Sequence, residues 1–383
     1  EDQEEVFRRT ELGWSERSVT NHQLSGEHKF KSLNNAKINW SYSQSKALLY
    51  EPDNKMYTYI KNGDSYRPET ENGSAGNLVS WNNMPDYLFN TSLDYTQPID
   101  LDFLDKTTVS VGINNLNRER DFVSRNFYFK FAPGGSSNLL DLNGTPEDVF
   151  TDEGAELYQQ SNNTDNYSAN QNINAYYTNL KIKKGSFDLA LGYRYEKSLQ
   201  QVESYKLFDS GQTLSELETR DYLPAVSVTY RITDKMQLRT NFSETVSRPD
   251  LREISKTVWN DVQEGIRYVG NPNLKAAEIQ NFGLRYEWYF NRGEIVSLGY
   301  FQKKFKRPIE EIYGSLSDDG RIVGTTQRQY TFFNIDEANN QGLEFEFRKK
   351  ITNNLTFGGN YSWISSEAVS YTHLRAHETD SYL

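Results

Sequence analysis

Apolar residues recur at every second position in segments spread along the chain. In residues 282–290, Phe, Leu, Tyr, Trp and Phe alternate with polar residues, and after a short polar break the pattern repeats over residues 296–300. A period of two is typical of a β-strand with one apolar and one polar face. Comparable segments lie around residues 38–42, 109–113, 176–182, 189–195, 226–232, 238–242, 343–347 and 355–363. The sequence therefore predicts an all-β protein of about twelve antiparallel strands.

The connections between these segments alternate between short and long. Short polar turns are predicted near residues 33–36, 104–106, 184–185, 233–235, 291–293 and 352–354. Long connections are predicted over residues 49–90, 115–169, 198–220, 246–276 and 308–326. Outer-membrane barrels have short periplasmic turns and long extracellular loops. We therefore expect an up-and-down transmembrane β-barrel, with the apolar face of each strand towards lipid and the polar face towards the lumen.

The composition fits strands better than helices as membrane-spanning elements. Only 36% of the 383 residues are hydrophobic, and the mean hydropathy is −0.80. No window approaches the 18 or so consecutive apolar residues of a transmembrane helix. The aromatic content of 14% includes 26 Tyr and 6 Trp, and these residues are enriched at membrane interfaces. We expect them near the strand ends.

Charge and motif content exclude several classes of function. A net charge of −11 argues against a partner that is a nucleic acid, because phosphate contacts require clustered Lys and Arg. The absence of Cys excludes disulfides, Cys-ligated zinc and thiol catalysis. No nucleophile elbow, phosphate loop or His-Glu-x-x-His sequence occurs. We expect no enzyme activity, no cofactor and no metal site. The pair His373 and His377 has a metal-ligand spacing, but it falls in a segment that we expect to be foreign to the protein.

Two segments carry a resemblance to a known family. They are TNFSETVSRPDLREI (residues 240–254) and GNPNLKAAEIQNFGLRYEWYF (residues 270–290). Together they resemble the C-terminal half of TonB-dependent outer-membrane receptors, although Ala276 and Ala277 stand where the family often has Pro-Glu. Residues 33–53 and 332–347 are also similar. The matching motif residues are Arg248, Pro249, Gly270, Asn271, Pro272 and Leu274.

The resemblance implies a barrel of 22 strands with an N-terminal plug in its lumen, in the outer membrane of a Gram-negative bacterium. We accordingly expect residues 1–367 to be a partial barrel that lacks the plug and the first strands. The alternation stops after Trp363, and residues 368–383 are similar to a translated adapter-like tail, so we expect them to be non-native. The implied function is TonB-dependent import of a scarce ligand such as a siderophore, cobalamin, an oligosaccharide or a peptide. The expected partners are outer-membrane lipid, the ligand and, through the missing plug region, the TonB complex.

Candidate ligand-binding residues fall into two groups. Trp81, Trp259 and Tyr268 are predicted to lie in long loops, where exposed aromatic rings can stack on a ligand. Charged residues on the polar faces of strands are predicted to line the lumen, where they could guide a ligand or simply solvate the wall and contact the plug. These residues are Arg194, Glu196, Arg231, Arg239, Glu344 and Glu346.

Two alternatives in other classes remain open from the sequence. A passive porin or a barrel enzyme of the outer membrane would share the strand pattern. A soluble all-β carbohydrate-binding protein would require the apolar faces to pack against a second sheet, which would shield side chains such as Trp288 and Phe345 from solvent.

Overall fold

The computed structural model describes residues 7–62, 65–68, 77–131, 155–159, 161, 165–205, 211–261, 266–316, 322–323 and 329–369. These residues form β-strands and a single 3-10 helix, Lys31–Leu33. None of the helical residues described could span a bilayer as a helix. The strands are β1 Phe7–Leu12, β2 Glu16–Phe30, β3 Ala36–Asn62, β4 Ser65–Pro68, β5 Leu78–Ile99, β6 Lys106–Phe131, β7 Ala155–Gln159, β8 Tyr167–Lys184, β9 Phe187–Tyr205, β10 Gln212–Thr233, β11 Met236–Ser247, β12 Val258–Asp261, β13 Ile266–Val269, β14 Ala277–Asn291, β15 Glu294–Lys306, β16 Ile309–Tyr313, β17 Ser315–Leu316, β18 Ile322–Val323, β19 Gln329–Asn334, β20 Glu337–Thr352 and β21 Leu355–Val369.

One large antiparallel sheet contains most of the strands. Its order is β1-β3-β5-β6-β8-β9-β10-β11-β14-β15-β20-β21. Strand β2 pairs with the same edge of β3 as β1 does, further along that strand, and the short strands β4 and β7 extend β3 and β6. Neighbours in the sheet are antiparallel and follow chain order, so the sheet is an up-and-down meander of twelve strand positions. The predicted all-β class and strand number are confirmed.

The predicted turns join neighbouring strands at one end of the sheet, which we call the short-turn end. Gly185 and Gly293 occupy two of these turns with φ of 53° and 79°, a left-handed conformation that glycine adopts without strain. The longer excursions leave from the opposite, long-connection end. The alternation between short and long connections is therefore confirmed.

The predicted lengths of some long connections are wrong. Strand β9 continues to Tyr205 and β10 begins at Gln212, so most of the predicted loop 198–220 is a hydrogen-bonded hairpin. Likewise, β3 runs to Asn62 and β5 begins at Leu78, inside the predicted loop 49–90. The cause is that backbone pairing continues beyond the point where the apolar alternation stops, because pairing needs no apolar side chain.

The two faces of the large sheet differ in chemistry and exposure. Its apolar face carries large exposed side chains, among them Leu93, Tyr176, Tyr222 and Trp363. Trp288 is 38% and Phe345 44% exposed, so among the described residues no second sheet covers these side chains as the soluble interpretation would require. The opposite face, the polar face, carries charged and small polar side chains such as Glu196, Ser198 and Gln200. The predicted alternation is confirmed along the sheet.

The described residues of the segments 248–276 and 307–335 lie at the long-connection end of the polar face, and we call them the loop layer. Leu251 and Ile254 of the loop layer are fully buried against Phe122 of β6 and Val202 of β9. The loop layer also contains a second, four-stranded sheet with the order β12-β13-β19-β16. Apolar burial in this protein is thus concentrated between the loop layer and the sheet rather than between two sheets.

Candidate ligand-binding site

Three aromatic rings stack in the loop layer, and we call Trp259, Tyr268 and Phe332 the aromatic platform. The ring centroids of Trp259 and Tyr268 are 5.5 Å apart at 13°. Phe332 stacks 5.9 Å from Trp259 and 6.0 Å from Tyr268. Tyr330 continues the row from Tyr268 at 6.0 Å. Offset rings at these separations stabilise one another beyond simple area burial. The platform is therefore a preformed stack, in which Phe332 is buried and Trp259 and Tyr268 are partly buried.

Arg252 lies between the aromatic platform and the wall of the large sheet. Its guanidinium carbon is 4.2 Å from the ring centroid of Trp259 and 4.7 Å from that of Phe122. Burial lowers the pKa of Arg252 to about 10, although Tyr167 and Asp250 favour its charged form. Its Nε has no hydrogen-bond partner among the described residues. Ring faces therefore hold this cation in place of carboxylates, as in a cation–π sandwich.

A cavity of about 840 Å³ opens beside the platform, between the loop layer and the polar face. Its volume lies in the range of small-molecule sites. Phe332 and Glu311 line it, and the Tyr268 hydroxyl donates to Glu311 Oε2 at 3.3 Å. The apolar lining residues include Ile279, Phe305, Ile309 and Phe332, and the carboxylates are Asp250, Glu253, Glu310, Glu311 and Glu367. A ligand in this cavity would meet aromatic and acidic groups together.

Two of the lining carboxylates, Asp250 and Glu311, influence a third, Glu253. Burial raises the pKa of the Glu253 carboxyl above its ordinary value, and the nearby charges of Asp250 and Glu311 raise it further. A hydrogen bond of 2.8 Å from the Asp250 backbone N–H to Glu253 Oε2 acts in the opposite direction. Ionisation of Glu253 therefore costs more free energy than ionisation of a solvated glutamate.

A chain of ion pairs fixes the start of the loop layer to the wall. Arg120 of β6 donates to Asp250 Oδ1 at 2.9 Å, and its Nε donates to Asp86 Oδ2 of β5 at 2.8 Å. Arg118 adds three further hydrogen bonds to Asp86. Arg120 is 8% exposed, and its removal would break the link between Asp86 and Asp250 while Asp86 kept Arg118. The chain holds residue 250 against the polar face.

The Arg-Pro motif acts as a second attachment. Arg248 donates to Glu196 Oε2 at 2.8 Å and also pairs with Asp221. The Gln200 side chain donates to the carbonyl oxygen of Pro249 at 2.9 Å. Pro249 needs no partner for a backbone N–H, which suits the point where β11 leaves the sheet. The motif thus turns the chain from the wall into the loop layer.

The Gly-Asn-Pro motif lies at the other end of the same segment. A Cβ at Gly270 would lie 2.4 Å from the carbonyl oxygen of Ser255, so only glycine fits there. Asn271 is 3% exposed and donates from Nδ2 to the carbonyl oxygen of Phe332 at 2.8 Å. Pro272 forms a turn, and Leu274 is buried at 2% exposure in the core that contains Leu251. The motif residues therefore all have structural positions in or beside the loop layer.

The charged residues predicted to line the lumen lie on the polar face, where each of them forms an ion pair. Arg194 donates to Glu196 at 2.7 Å, and Arg231 pairs with Asp188. Contacts to neighbouring strands are also made by Arg239 with Glu287 at 4.0 Å, Glu344 with Arg285 at 3.8 Å and Glu346 with Arg285 at 3.0 Å. These pairs stabilise the wall, and a role in guiding a ligand stays a prediction.

The three aromatic residues predicted to lie in loops occupy different parts of the structure. Trp259 and Tyr268 come together in the aromatic platform. Trp81 lies in strand β5, not in a loop, and its position alternates with buried Ser80 on the polar face. Its ring contacts Phe127 edge-on at 4.9 Å. The assignment of Trp81 to a loop is wrong because β5 begins three residues earlier than Trp81, within a polar stretch that lacks clear alternation.

No signal in the sequence identified several residues of this site. Arg252, Phe332 and the pair Arg120 and Asp86 are ordinary residue types in ordinary contexts. Their partners lie far apart in the chain, as in the contact between Arg120 and Asp250. Only the spatial arrangement reveals them.

The described part of the chain contains no group of three His, Asp or Glu residues that could hold a metal ion. His373 and His377 lie outside the described residues. Of the predicted tail 368–383, Ala368 and Val369 end strand β21, and the remainder lies outside the described residues. The foreign origin of this tail stays a prediction.

An up-and-down sheet with one exposed apolar face, and with loops folded over its polar face, defines a barrel wall of the outer-membrane type. A family model for the TonB dependent receptor-like β-barrel matches residues 4–381. The chain therefore belongs to this family, whose members are transport receptors. No curated protein sequence matches the chain.

Solved structures support the same fold. The siderophore receptor PiuA from Acinetobacter baumannii is similar with a TM-score of 0.59 at 16% identity, over 93% of this chain and 47% of that one. The alcaligin outer-membrane receptor FauA from Bordetella pertussis gives 0.54 at 13%, over 94% and 49%. BauA, the ferric preacinetobactin receptor from Acinetobacter baumannii, gives 0.54 at 14%, over 93% and 46%. The chain spans about half the length of these structures.

Proposed function

We propose that this chain is part of the barrel of a Gram-negative outer-membrane receptor, which binds a scarce ligand at its extracellular end and imports it with energy from TonB. The single observation that carries the proposal is the exposed apolar belt on a sheet whose polar face holds the candidate site. Family membership supports the TonB dependence. The siderophore ligands named for PiuA, FauA and BauA make a small chelate complex one class of ligand to test first.

The apolar belt has a sharp boundary towards the long-connection end. Leu93, Ile113, Tyr176, Tyr195 and Tyr222 form one hydrogen-bonded row on the apolar face. The next row on the same face is polar, and it consists of Thr91, Asn115, Asn174, Lys197 and Arg220. Aromatic side chains at such a boundary are typical of an interfacial girdle. We infer that the membrane surface lies between these two rows.

The boundary also shifts along the sheet in the way that tilted strands require. On β3 the last apolar residue before the polar positions is Tyr42, and on β20 it is Leu343. The register can be followed from Tyr42 on β3 through nine pairs of neighbouring strands to β20. On β20, Leu343 lies eight residues closer to the short-turn end than the position level with Tyr42. With about 3.3 Å per residue and about 4.8 Å per strand, this corresponds to a tilt of roughly 30°. Membrane barrels have tilts of about 35–45°, so the shift between these two strands has the direction, and nearly the size, that a flat bilayer across tilted strands requires.

The membrane assignment can be tested with a matched pair of substitutions in the full-length protein. Phe345→Arg places a charge on the apolar face of β20, whereas Glu344→Arg places the same side chain on the polar face one residue away. An arginine in lipid costs about 2–4 kcal/mol near the bilayer centre. We expect Phe345→Arg to reduce the amount of folded protein in the outer-membrane fraction, and Glu344→Arg to leave it nearly unchanged. Equal tolerance of both, or recovery of the wild type in a detergent-free soluble fraction, would contradict the proposal.

The TonB dependence needs a separate test, because it concerns segments outside this chain. Purified full-length receptor in detergent should bind the periplasmic domain of TonB, measured by calorimetry, and planar bilayers containing it should show no open-channel conductance. Steady conductance without TonB binding would instead indicate a passive porin.

A further inference from the structure

The two connections that form the loop layer, β11 to β14 and β15 to β20, are joined along their backbones. Strand β13 of the first connection pairs with β19 of the second in parallel, with Arg267 opposite Gln329 and Val269 opposite Thr331. This is a parallel pairing in a protein whose large sheet is antiparallel. The pairing crosses between two excursions that are separated by the whole hairpin of β14 and β15.

Side-chain hydrogen bonds strengthen this junction on both sides. Asn334 receives a hydrogen bond from the Lys275 backbone N–H at 2.8 Å and donates to the Lys275 carbonyl oxygen at 2.9 Å. It thus pairs with Lys275 as a strand residue would. Asn334 also donates to the carbonyl oxygen of Arg307 at 2.8 Å. The Asn271 side chain bonds the carbonyl oxygen of Phe332 from the opposite direction.

A third contact lies in the centre of the junction. Thr331 is fully buried, and its hydroxyl donates to the carbonyl oxygen of Val269 at 3.0 Å. Buried polar groups that lose such partners cost about 1–3 kcal/mol each. The junction therefore resists separation of the two connections.

The aromatic platform is assembled across this junction. Trp259 and Tyr268 come from the first connection, whereas Phe332 comes from the second. If the two connections moved independently, the stack would break each time one of them opened.

From this arrangement we infer that the described parts of the two connections form a single rigid unit, in which Asn271, Thr331 and Asn334 are positioning residues for the aromatic platform. Phe332 is the member of the platform that lines the cavity, so a ligand there would meet an aromatic ring that the junction already holds in place. Its relevance to ligand binding rests on the proposed function. Its test needs no ligand, so the inference and the proposed function can fail separately.

Hydrogen exchange of the full-length receptor in detergent tests the inference, with peptides that cover residues 266–275 and 329–335. We expect Asn334→Ala to increase the exchange rate about tenfold or more in both peptides together, because the opening of one connection exposes the other. Asn281→Ala is the matched control. Its side chain bonds the neighbouring strand β11 through the Ser243 carbonyl oxygen and the Thr245 hydroxyl, so neither peptide should change. An increase in only one peptide, or in neither, would overturn the inference.

A second variant, Thr331→Val, keeps the test valid if Asn334→Ala does not fold. It preserves the shape of the side chain and removes a single hydrogen bond. It should increase exchange in the same two peptides together, by a smaller factor, while the heat-modifiable electrophoretic mobility of the folded barrel stays that of the wild type. If Thr331→Val changes one peptide alone, or changes neither, the two connections are independent and the inference is wrong.

Discussion

The two ends of the polar face are made of similar residues but have different surroundings. At the long-connection end, Arg120 is 8% exposed and Gln200 is 1% exposed, because the loop layer covers them. At the short-turn end, Arg239 is 54% and Arg348 is 55% exposed, although both also lie near carboxylates. The arginines of the polar face are therefore buried where the loop layer covers them and exposed where it does not. The carboxylate beside Arg239 does not follow this difference, because Glu287 is only 5% exposed.

The substitution expected to destabilise the loop layer most is Gly270→Ala. Its Cβ would be 2.4 Å from a backbone oxygen and 2.9 Å from two others, so the loop layer must shift. We expect the loop layer to lose about 4 kcal/mol of local stability, the upper range for a single substitution, measured by hydrogen exchange. Gly359→Ala is the control, because its Cβ would meet nothing within 4 Å. A similar loss in both variants would contradict the close approach at Gly270.

Next in size is Leu251→Ala. Leu251 is fully buried between the loop layer and the wall, and the deletion of such a side chain costs about 2–5 kcal/mol. We expect about 3 kcal/mol, with the loss confined to the loop layer. Leu298→Ala removes the same atoms from the apolar face, where the side chain is 53% exposed. It should change the exchange of the loop layer very little, and an equal effect would mean that Leu251 is not a core residue.

Arg120→Ala should have a smaller but clear effect. Removal of this guanidinium leaves Asp86 and Asp250 without their shared partner, and the loss of one member of a buried pair costs about 3–5 kcal/mol. Because Asp250 is 43% exposed, we expect about 2 kcal/mol. Arg348→Ala at the short-turn end should cost less than about 1 kcal/mol, as exposed pairs do. Limited proteolysis after Asp250 would measure the difference, and equal sensitivity of the two variants would show that burial is irrelevant here.

The smallest expected effect concerns pH. Burial raises the pKa of Glu253 in the folded state, so the folded loop layer holds this proton more tightly than the unfolded chain does. The group therefore favours folding below its unfolded pKa, and this contribution is lost as the pH rises through the raised folded pKa. Glu253→Gln should remove this part of the pH dependence and slow exchange of the loop layer slightly at neutral pH. Faster exchange at neutral pH would contradict this sign.

The large sheet could be predicted from the sequence because lipid-facing alternation is a local signal. Val226, Val228 and Tyr230 alternate with polar residues on β10, and the polar face follows directly from that period. The same reasoning failed at Trp81, where both faces of β5 lie beyond the apolar belt and the period vanishes although backbone pairing continues. Apolar and polar residues that alternate with a period of two thus indicate which part of a strand faces the membrane, and not where the strand ends.

The site itself was only half predictable. The loop position of Trp259 and Tyr268 followed from their place in a long connection, whereas their contact with Phe332 depends on a pairing between segments some sixty residues apart, which no local pattern encodes. The Arg-Pro and Gly-Asn-Pro motifs were recognised by resemblance alone. Their physical roles, such as the space at Gly270 and the amide of Asn271, became visible only when Ser255 and the Phe332 carbonyl were in place.

The parallel pairing of β13 with β19 also has a consequence for the order of folding. Adjacent hairpins of the wall close short loops, but this pair must wait until the chain between its two members has already formed β14 and β15. Contacts between residues distant in sequence form late, because closing the long loop between them costs chain entropy before the contacts stabilise it. We therefore expect the aromatic platform to form after the strands of the wall that lie between its two halves.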